Sequence, residues 1–365
     1  MFHLRAASAM CFRLFDVADG IDLAACRRLV ATTRPVALTR EGSQYVQLPN
    51  PPLTLDLGTR ALAFRFGPRD VTVQARIFDH GAISIRVEVP LEPGLSVEAL
   101  IPVADELYDS PLLQEVALEV VAKLRSQLAS SFEGPHLWTQ HEDYTVLWAK
   151  GIDGQPLAEA LLADPNLARL LLGEVREPVL SAREVGEVLN QHFSYTDRDL
   201  AVVEWNAAFL YEPSGSQDIV DLLEIANAQL LELRYYDAVL DGELQRVYDA
   251  IGGKRRSSIL YSPYKQLLRD LMQTLIELSE FIERVENSLK IVGDVYLARV
   301  YEAGVAQLRI RQWTEQVSRK HRLLQQTYGL LKGEVDTERA LTLEVMVVVL
   351  ILLEILMALA KVAGH

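Results

Sequence analysis

The C-terminal run LTLEVMVVVLILLEILMALAKVAGH, which begins at Leu341, limits the environments in which this chain can fold. Its apolar part is as long as the roughly 20 residues that a helix needs to cross a bilayer. Thirteen Leu, Ile and Val side chains between Leu341 and Leu359 favour insertion by about 4 to 8 kcal/mol, whereas Glu354 near the middle opposes it by about 2.5 to 3.5 kcal/mol. Glu344 lies nearer the end of the span and costs less. The sequence therefore predicts a membrane-anchor helix over 336–365.

The alternative for this run is a helix buried in the core of a homo-oligomer, with Glu344 and Glu354 paired to basic side chains of neighbouring helices. Both alternatives make the run a contact surface, because soluble monomers do not expose so large an apolar patch. For an anchor, the positive-inside rule sets the orientation. Lys361 lies at the end of the run, and five basic residues precede it: Arg319, Lys320, Arg322, Lys332 and Arg339. We therefore expect a membrane-associated protein whose main domain is cytoplasmic.

Composition narrows the class of the remaining chain. Of 365 residues, 50% are hydrophobic and 24% charged, which is typical of an ordered globular protein. The net charge of -14 argues against a surface that binds nucleic acid throughout, but it allows a local basic patch. Cys11 and Cys26 match no metal-ligand spacing and indicate a reduced, intracellular protein. The first fifteen residues contain no acid, as in targeting peptides, but we interpret Ala9 to Phe15 as a first strand.

Proline distribution indicates the domain organisation. Fourteen of the fifteen prolines lie at or before Pro213. Because proline breaks helix interiors, the later part of the chain is free to form long helices. We predict an α+β globular domain over 1–216 and a long-helix region over 217–335. A division of the first domain into two subdomains near 133–138 stays open.

The first domain contains strand patterns separated by turn residues, at Ala61 to Phe66, Val71 to Phe78 and Ala82 to Val89. A helical stretch covers Val97 to Ser130, and a further strand is predicted from Leu200 to Tyr211. Strands are mixed with scattered helices and do not alternate with them regularly, which favours an α+β fold.

The second part of the chain shows heptad spacing, typical of a coiled coil, from Leu223 to Ile251 and again from Tyr264 to Val292. The short connection between these seams predicts a long antiparallel helical hairpin. A third helix, from Tyr296 to Lys332, leads into the terminal apolar helix.

Two basic clusters lie in the helical region. The first, at the tip of the hairpin, is Lys254, Arg255 and Arg256, and the second surrounds Trp313 and comprises Arg309, Arg311, Arg319, Lys320 and Arg322. Either cluster can contact anionic lipid or an RNA phosphate backbone. The alternatives are an ordinary solvated loop for the first cluster and neutralisation of the acidic first long helix for the second.

Asp237 occupies a heptad position where an aliphatic residue is expected. A buried acid there specifies helix register or pairs with a base from another helix, and catalysis is the alternative. With Glu344 and Glu354, it is a candidate assembly residue.

The histidines offer one dense polar group, which is His136, His141, Glu142 and Asp143. A metal-dependent hydrolase site and a polar turn before a strand are the two interpretations. The chain contains no GxSxG, CxxC or GxGxxG motif, so we predict no enzyme, no cofactor and no resident metal.

Three segments resemble the required-for-meiotic-nuclear-division family. They are LLEIANAQLLELRYYDAVLD from Leu222, TERALTLEVMVVVLILLEI from Thr337, and RIFDHGAISI from Arg76, in which His80 replaces a tyrosine of the family. The resemblance implies an α+β domain, a long helical hairpin, a membrane-associated terminal helix and homo-oligomers. For eukaryotic members it also implies support of organellar translation. No enzymatic activity is established for the family.

These observations predict a non-enzymatic, membrane-anchored scaffold or assembly protein that is homo-oligomeric and supports translation at a membrane. The alternative is an RNA- or ribosome-associated factor that uses the two basic clusters and buries its C-terminal helix in an oligomer. The sequence identifies no small-molecule substrate.

Overall fold

A computed structural model of the protein describes residues 2–32, 37–38, 50–176, 180–252, 264–287 and 294–363. Contacts divide the chain into two compact units. Unit 1 comprises Met1–Tyr235 and Val285–Trp313, and unit 2 comprises Tyr236–Arg284 and Thr314–His365. The predicted α+β class is confirmed, with a mixed sheet in the N-terminal part, long helices after it and a long apolar helix at the C-terminus.

Eleven strands lie within the described ranges. They are β1 (Leu4–Asp16), β2 (Ala18–Ile21), β3 (Ala37–Leu38), β4 (Leu53–Phe64), β5 (Gly67–Ile77), β6 (Ala82–Pro90), β7 (Phe132–Pro135), β8 (His141–Ile152), β9 (His192–Phe193), β10 (Leu200–Val203) and β11 (Ala207–Tyr211). Nine of them form one sheet in the order β3-β4-β5-β6-β1-β8-β11-β10-β9, and β2 pairs with β7. Neighbouring strands of the large sheet are antiparallel, except that β11 runs parallel to β8.

The described helices are α1 (Leu23–Thr32), α2 (Val97–Tyr108), α3 (Pro111–Gln127), α4 (Ala158–Leu162), α5 (Pro165–Leu172), α6 (Ala182–Val188), α7 (Asp218–Gly252), α8 (Tyr264–Asn287), α9 (Val295–Gln307) and α10 (Ile310–Ala363). One face of the sheet packs against α2, α3 and α5 in the main apolar core. The N-terminal half of α7 contacts the opposite face through polar side chains of β5 and β6.

Three sequence predictions differ from the observed elements. The helical stretch from Val97 to Ser130 is two helices, because Ser110 caps the second helix and Pro111 starts it. The predicted strand from Leu200 to Tyr211 is the antiparallel hairpin β10–β11. The predicted third helix is interrupted between α9 and α10, where Arg309 has a φ of 52° in the left-handed region.

Buried ion pairs join α7 to the sheet in unit 1. Arg76 on β5 and Arg86 on β6 both donate to Asp221 and Glu224 of α7, and Ser84 donates to Glu224 at 2.6 Å. Glu224 is fully buried, and both arginines are less than 7% exposed. Because such charges are stable in an apolar interior only when each has a partner, this network fixes the position of α7 on the sheet.

Unit 2 is a bundle built from α7, α8 and α10. Leu240, Leu271 and Leu278 are among its buried seam residues, together with Val317 and Leu324. Arg246 near the end of α7 pairs with Asp270 near the start of α8 at 3.0 Å, as expected for antiparallel neighbours.

Candidate functional site

The C-terminal half of α10 presents a long, exposed apolar surface in unit 2. Within the described residues, α10 is the one helix long and apolar enough to cross a membrane, with a mean hydropathy of 2.6 over its most apolar window. None of that window is buried, and every side chain from Leu343 to Met357 is exposed. The helix continues without interruption because neither proline nor glycine occurs between Gly333 and Ala363.

The apolar surface has only two charged interruptions, at Glu344 and Glu354. Both side chains are exposed, and neither has an ion-pair partner among the described side chains. A continuous apolar surface of this size normally contacts lipid or another protein.

The basic residues around Trp313 belong partly to unit 1 and partly to unit 2. Arg309 lies over the Trp205 ring at 5.3 Å, and Arg311 pairs with Glu302 at 3.5 Å, both in unit 1. Arg319 and Arg322 are exposed in unit 2. Lys254, Arg255 and Arg256 lie outside the described residues. The described side chains therefore add no support to an RNA or ribosome contact.

Lys320 and Asp237 face each other in unit 2. Lys320 Nζ lies 2.8 Å from Asp237 and 2.6 Å from Asp241, and Gln316 donates to Asp237 at 3.0 Å. Burial lowers the pKa of Lys320, but the two carboxylates outweigh burial and hold it above its usual value. These contacts give Asp237 a partner on α10 and fix the packing of α7 against α10.

The group His136, His141, Glu142 and Asp143 does not converge. Three of its members are consecutive residues of β8, whose side chains alternate between the two faces of the sheet. The His141 ring stacks on Phe15, whereas Glu142 accepts a hydrogen bond from Arg234. The described residues contain no group of three or more side chains that can hold a metal ion.

His136 belongs to a different cluster in unit 1. Its Nε2 lies 2.8 Å from Oδ1 of Asp16, its Nδ1 lies 3.4 Å from Asp19, and its ring stacks on Tyr235 at 4.8 Å. Asp16 is fully buried, and its Oδ2 accepts no hydrogen bond from the described residues. Neither acid is indicated by the sequence around His136, because both precede it by more than 100 residues.

The charge of Asp16 controls the protonation of His136. Burial lowers the pKa of His136, but the hydrogen bond and charge of Asp16 outweigh burial and raise it above 6.5. The raised pKa of His136 stabilises the folded state. This stabilisation is complete below pH 6.5 and is lost as the pH rises through the pKa of His136 in the folded protein.

We expect Asp16→Asn to lower the pKa of His136 below its value in the unchanged protein, because the opposing effect of burial then dominates. NMR titration of histidine ring resonances measures this shift, with His136→Gln to assign the signal. His141, whose pKa burial lowers, is the internal control and should not move. A His136 pKa below the usual histidine value in the unchanged protein would contradict the conclusion that Asp16 raises this pKa.

Comparison with known proteins places the chain in a family. The family model for the N-terminal domain of uncharacterized protein MJ0711 matches residues 6–218, which is more than half of the chain. Uncharacterized protein MJ0711 of Methanocaldococcus jannaschii is 28% identical over 201 residues, which cover 54% of this chain and 59% of that relative.

No solved structure matches the chain. The predicted resemblance to the required-for-meiotic-nuclear-division family is wrong, because the matches point to MJ0711 and nothing points to that family. The resemblance rested mainly on an aliphatic tail, a pattern that many unrelated apolar helices share. The expectation of a role in translation came from the same resemblance and loses its support. The chain belongs to the family defined by the N-terminal domain of uncharacterized protein MJ0711.

Proposed function

We propose that the protein is a non-enzymatic scaffold or assembly protein attached to a membrane through the apolar half of α10. The observation that carries this proposal is the absence of burial along the most apolar window of that helix. Insertion of its aliphatic side chains, worth about 4 to 8 kcal/mol, exceeds the roughly 3 kcal/mol cost of Glu354. The basic residues before the apolar segment favour a cytoplasmic position for unit 1.

Two charges at the centre of the segment should abolish membrane attachment. Val349→Arg with Leu353→Arg adds about 5 to 7 kcal/mol to the cost of insertion, more than the net gain of the unchanged segment. Membrane flotation and carbonate extraction of the full chain measure the effect. The matched control is Gln326→Arg with Leu330→Arg, which has the same spacing on an exposed part of α10 and should stay with the membrane. Unchanged flotation of the central double variant would exclude the anchor.

Glu354 offers a test of the assembly part of the proposal. A carboxylate near the middle of a span is costly unless it has a partner, so we propose that it pairs inside a homo-oligomer. Glu354→Leu should then change the oligomer size measured by light scattering in mild detergent. Gln326→Leu, which replaces an exposed polar side chain of α10 before the apolar segment, is the control and should leave the size unchanged. An unaltered assembly in Glu354→Leu would refute the pairing.

A further inference from the structure

A cleft of about 940 Å³ opens in unit 1 where β8 and β11 end. These strands run parallel, and their carboxyl ends reach the same edge of the sheet. In sheets with parallel strands, ligands bind outside this edge. The cleft has the volume of a small-molecule site, and buried Ile152 and Tyr211 form part of its lining.

Two irregularities of the sheet lie at this cleft. Along the β1–β8 pair, the partners are Leu4 with Ile152, Ala6 with Gly151 and Ala7 with Ala149. Arg5 on β1 and Lys150 on β8 are thus the unpaired residues of two consecutive β-bulges, and both line the cleft. Bulges redirect side chains and are frequent beside functional sites, and Arg5 is an exposed cation at this cleft. The Lys150 ammonium lies 3.5 Å from Glu88 and over the Trp148 ring at 4.0 Å, so Lys150 borders the cleft while its charge is paired outside it.

A second cation at the cleft comes from the loop before β10. Arg198 is exposed in the cleft, and its guanidinium contacts Gln155 at 3.4 Å. Gln155 also lines the cleft and has a φ of 45°, a conformation that costs energy in a residue other than glycine and is often found at binding sites.

The acids of the cleft are mostly satisfied by the backbone. Asp199 accepts from the amides of residues 195 and 196, Asp294 accepts from the first amides of α9, and Glu212 accepts from the amide of Ser214. Asp218 lies in the first turn of α7, where the helix dipole stabilises a negative charge. The acids are therefore held by local amides and a helix dipole, whereas Arg5 and Arg198 are exposed at the cleft.

An aromatic surface and a serine turn complete the cleft. Tyr195 is 72% exposed, and its ring lies 5.4 Å from that of Tyr296. The turn from β11 into α7 carries Ser214 and Ser216, whose hydroxyl oxygens accept backbone hydrogen bonds and can still donate to a ligand. An exposed tyrosine supplies a stacking surface for a planar ring, and arginines and hydroxyls are the usual partners of phosphate.

We propose that this cleft binds a phosphorylated small molecule with a planar ring, of the size and chemistry of a nucleoside monophosphate. The phosphate contacts Arg5 and Arg198, and the ring stacks on Tyr195. This binding is independent of the membrane attachment proposed above, because every group involved belongs to unit 1.

The test is isothermal titration of the full chain in mild detergent with AMP, GMP, CMP and UMP, and with adenosine and inorganic phosphate. We expect saturable binding of at least one nucleotide, with adenosine and phosphate each at least tenfold weaker. Arg198→Gln and Arg5→Gln should weaken the nucleotide at least tenfold, because each loses a charge-assisted contact. Tyr195→Ala should weaken it several-fold.

Arg183→Gln is the matched control, because Arg183 is an exposed arginine of unit 1 outside the cleft and should leave affinity unchanged. Near-ultraviolet circular dichroism verifies that each variant is folded. The proposal is overturned if none of the four nucleotides binds, if free phosphate binds as tightly as the nucleotide, or if Arg198→Gln and Arg5→Gln bind like the unchanged protein.

Discussion

Replacing Glu224 with glutamine is expected to lower the free energy of unfolding of unit 1 by about 3 to 5 kcal/mol. The side chain keeps its shape but loses its charge. Arg76 and Arg86 then remain buried, and among the described residues Asp221 is the acidic partner left to them. Burial raises the pKa of Glu224, but the charges of Arg86 and Arg76 outweigh burial and hold it below its ordinary value. This stabilisation is therefore present above the ordinary glutamate pKa and is lost as the pH falls through the lowered value.

Urea unfolding followed by tryptophan fluorescence measures this change, because all four tryptophans belong to unit 1. The control is Glu119→Gln, which breaks an exposed ion pair with Arg60 and should leave the midpoint unchanged. A midpoint in Glu224→Gln equal to that of the control would mean that the network does not hold α7 on the sheet.

Much of the fold could be predicted because it depends on local patterns. The strands from Ala61 to Val89 alternate in hydrophobicity, and two of them are joined by a turn at 79–81 that ends in glycine. The helical seams were visible in the same way, because their apolar positions recur every three or four residues. The apolar half of α10 could be predicted from its length and composition alone.

Pairing between distant segments could not be predicted in this way. Nothing near β11 indicates that it runs parallel to β8, and this pairing creates the edge at which the cleft opens. The bulges at Arg5 and Lys150 depend on the register of two strands separated by more than 120 residues. Asp16 and His136 likewise meet only through the fold.

The second large effect on stability is expected at Gly81, whose turn lies against the backbone of Ala18, two residues after Asp16. We expect Gly81→Ala to destabilise unit 1 by about 4 kcal/mol or more, because it combines backbone strain with a collision. Gly81 has a φ of 108°, and a Cβ there would lie 1.7 Å from the carbonyl oxygen of Ala18. That oxygen belongs to the backbone of the first residue of β2, so a side-chain rotation cannot relieve the contact.

Gly94→Ala separates the two contributions. Gly94 also has a positive φ, of 87°, but nothing lies within 4 Å of the Cβ position, so this variant reports the strain alone, about 1 to 3 kcal/mol. Urea unfolding should therefore show a clearly larger loss for Gly81→Ala. Any Gly81→Ala protein that still folds must displace Ala18, which carries Asp16 and Asp19 away from His136 and lowers the histidine pKa. Equal losses in the two variants, with an unchanged His136 titration, would contradict this packing of the turn at Gly81 against the start of β2. The positions of Asp16 and Asp19 beside His136 depend on that packing.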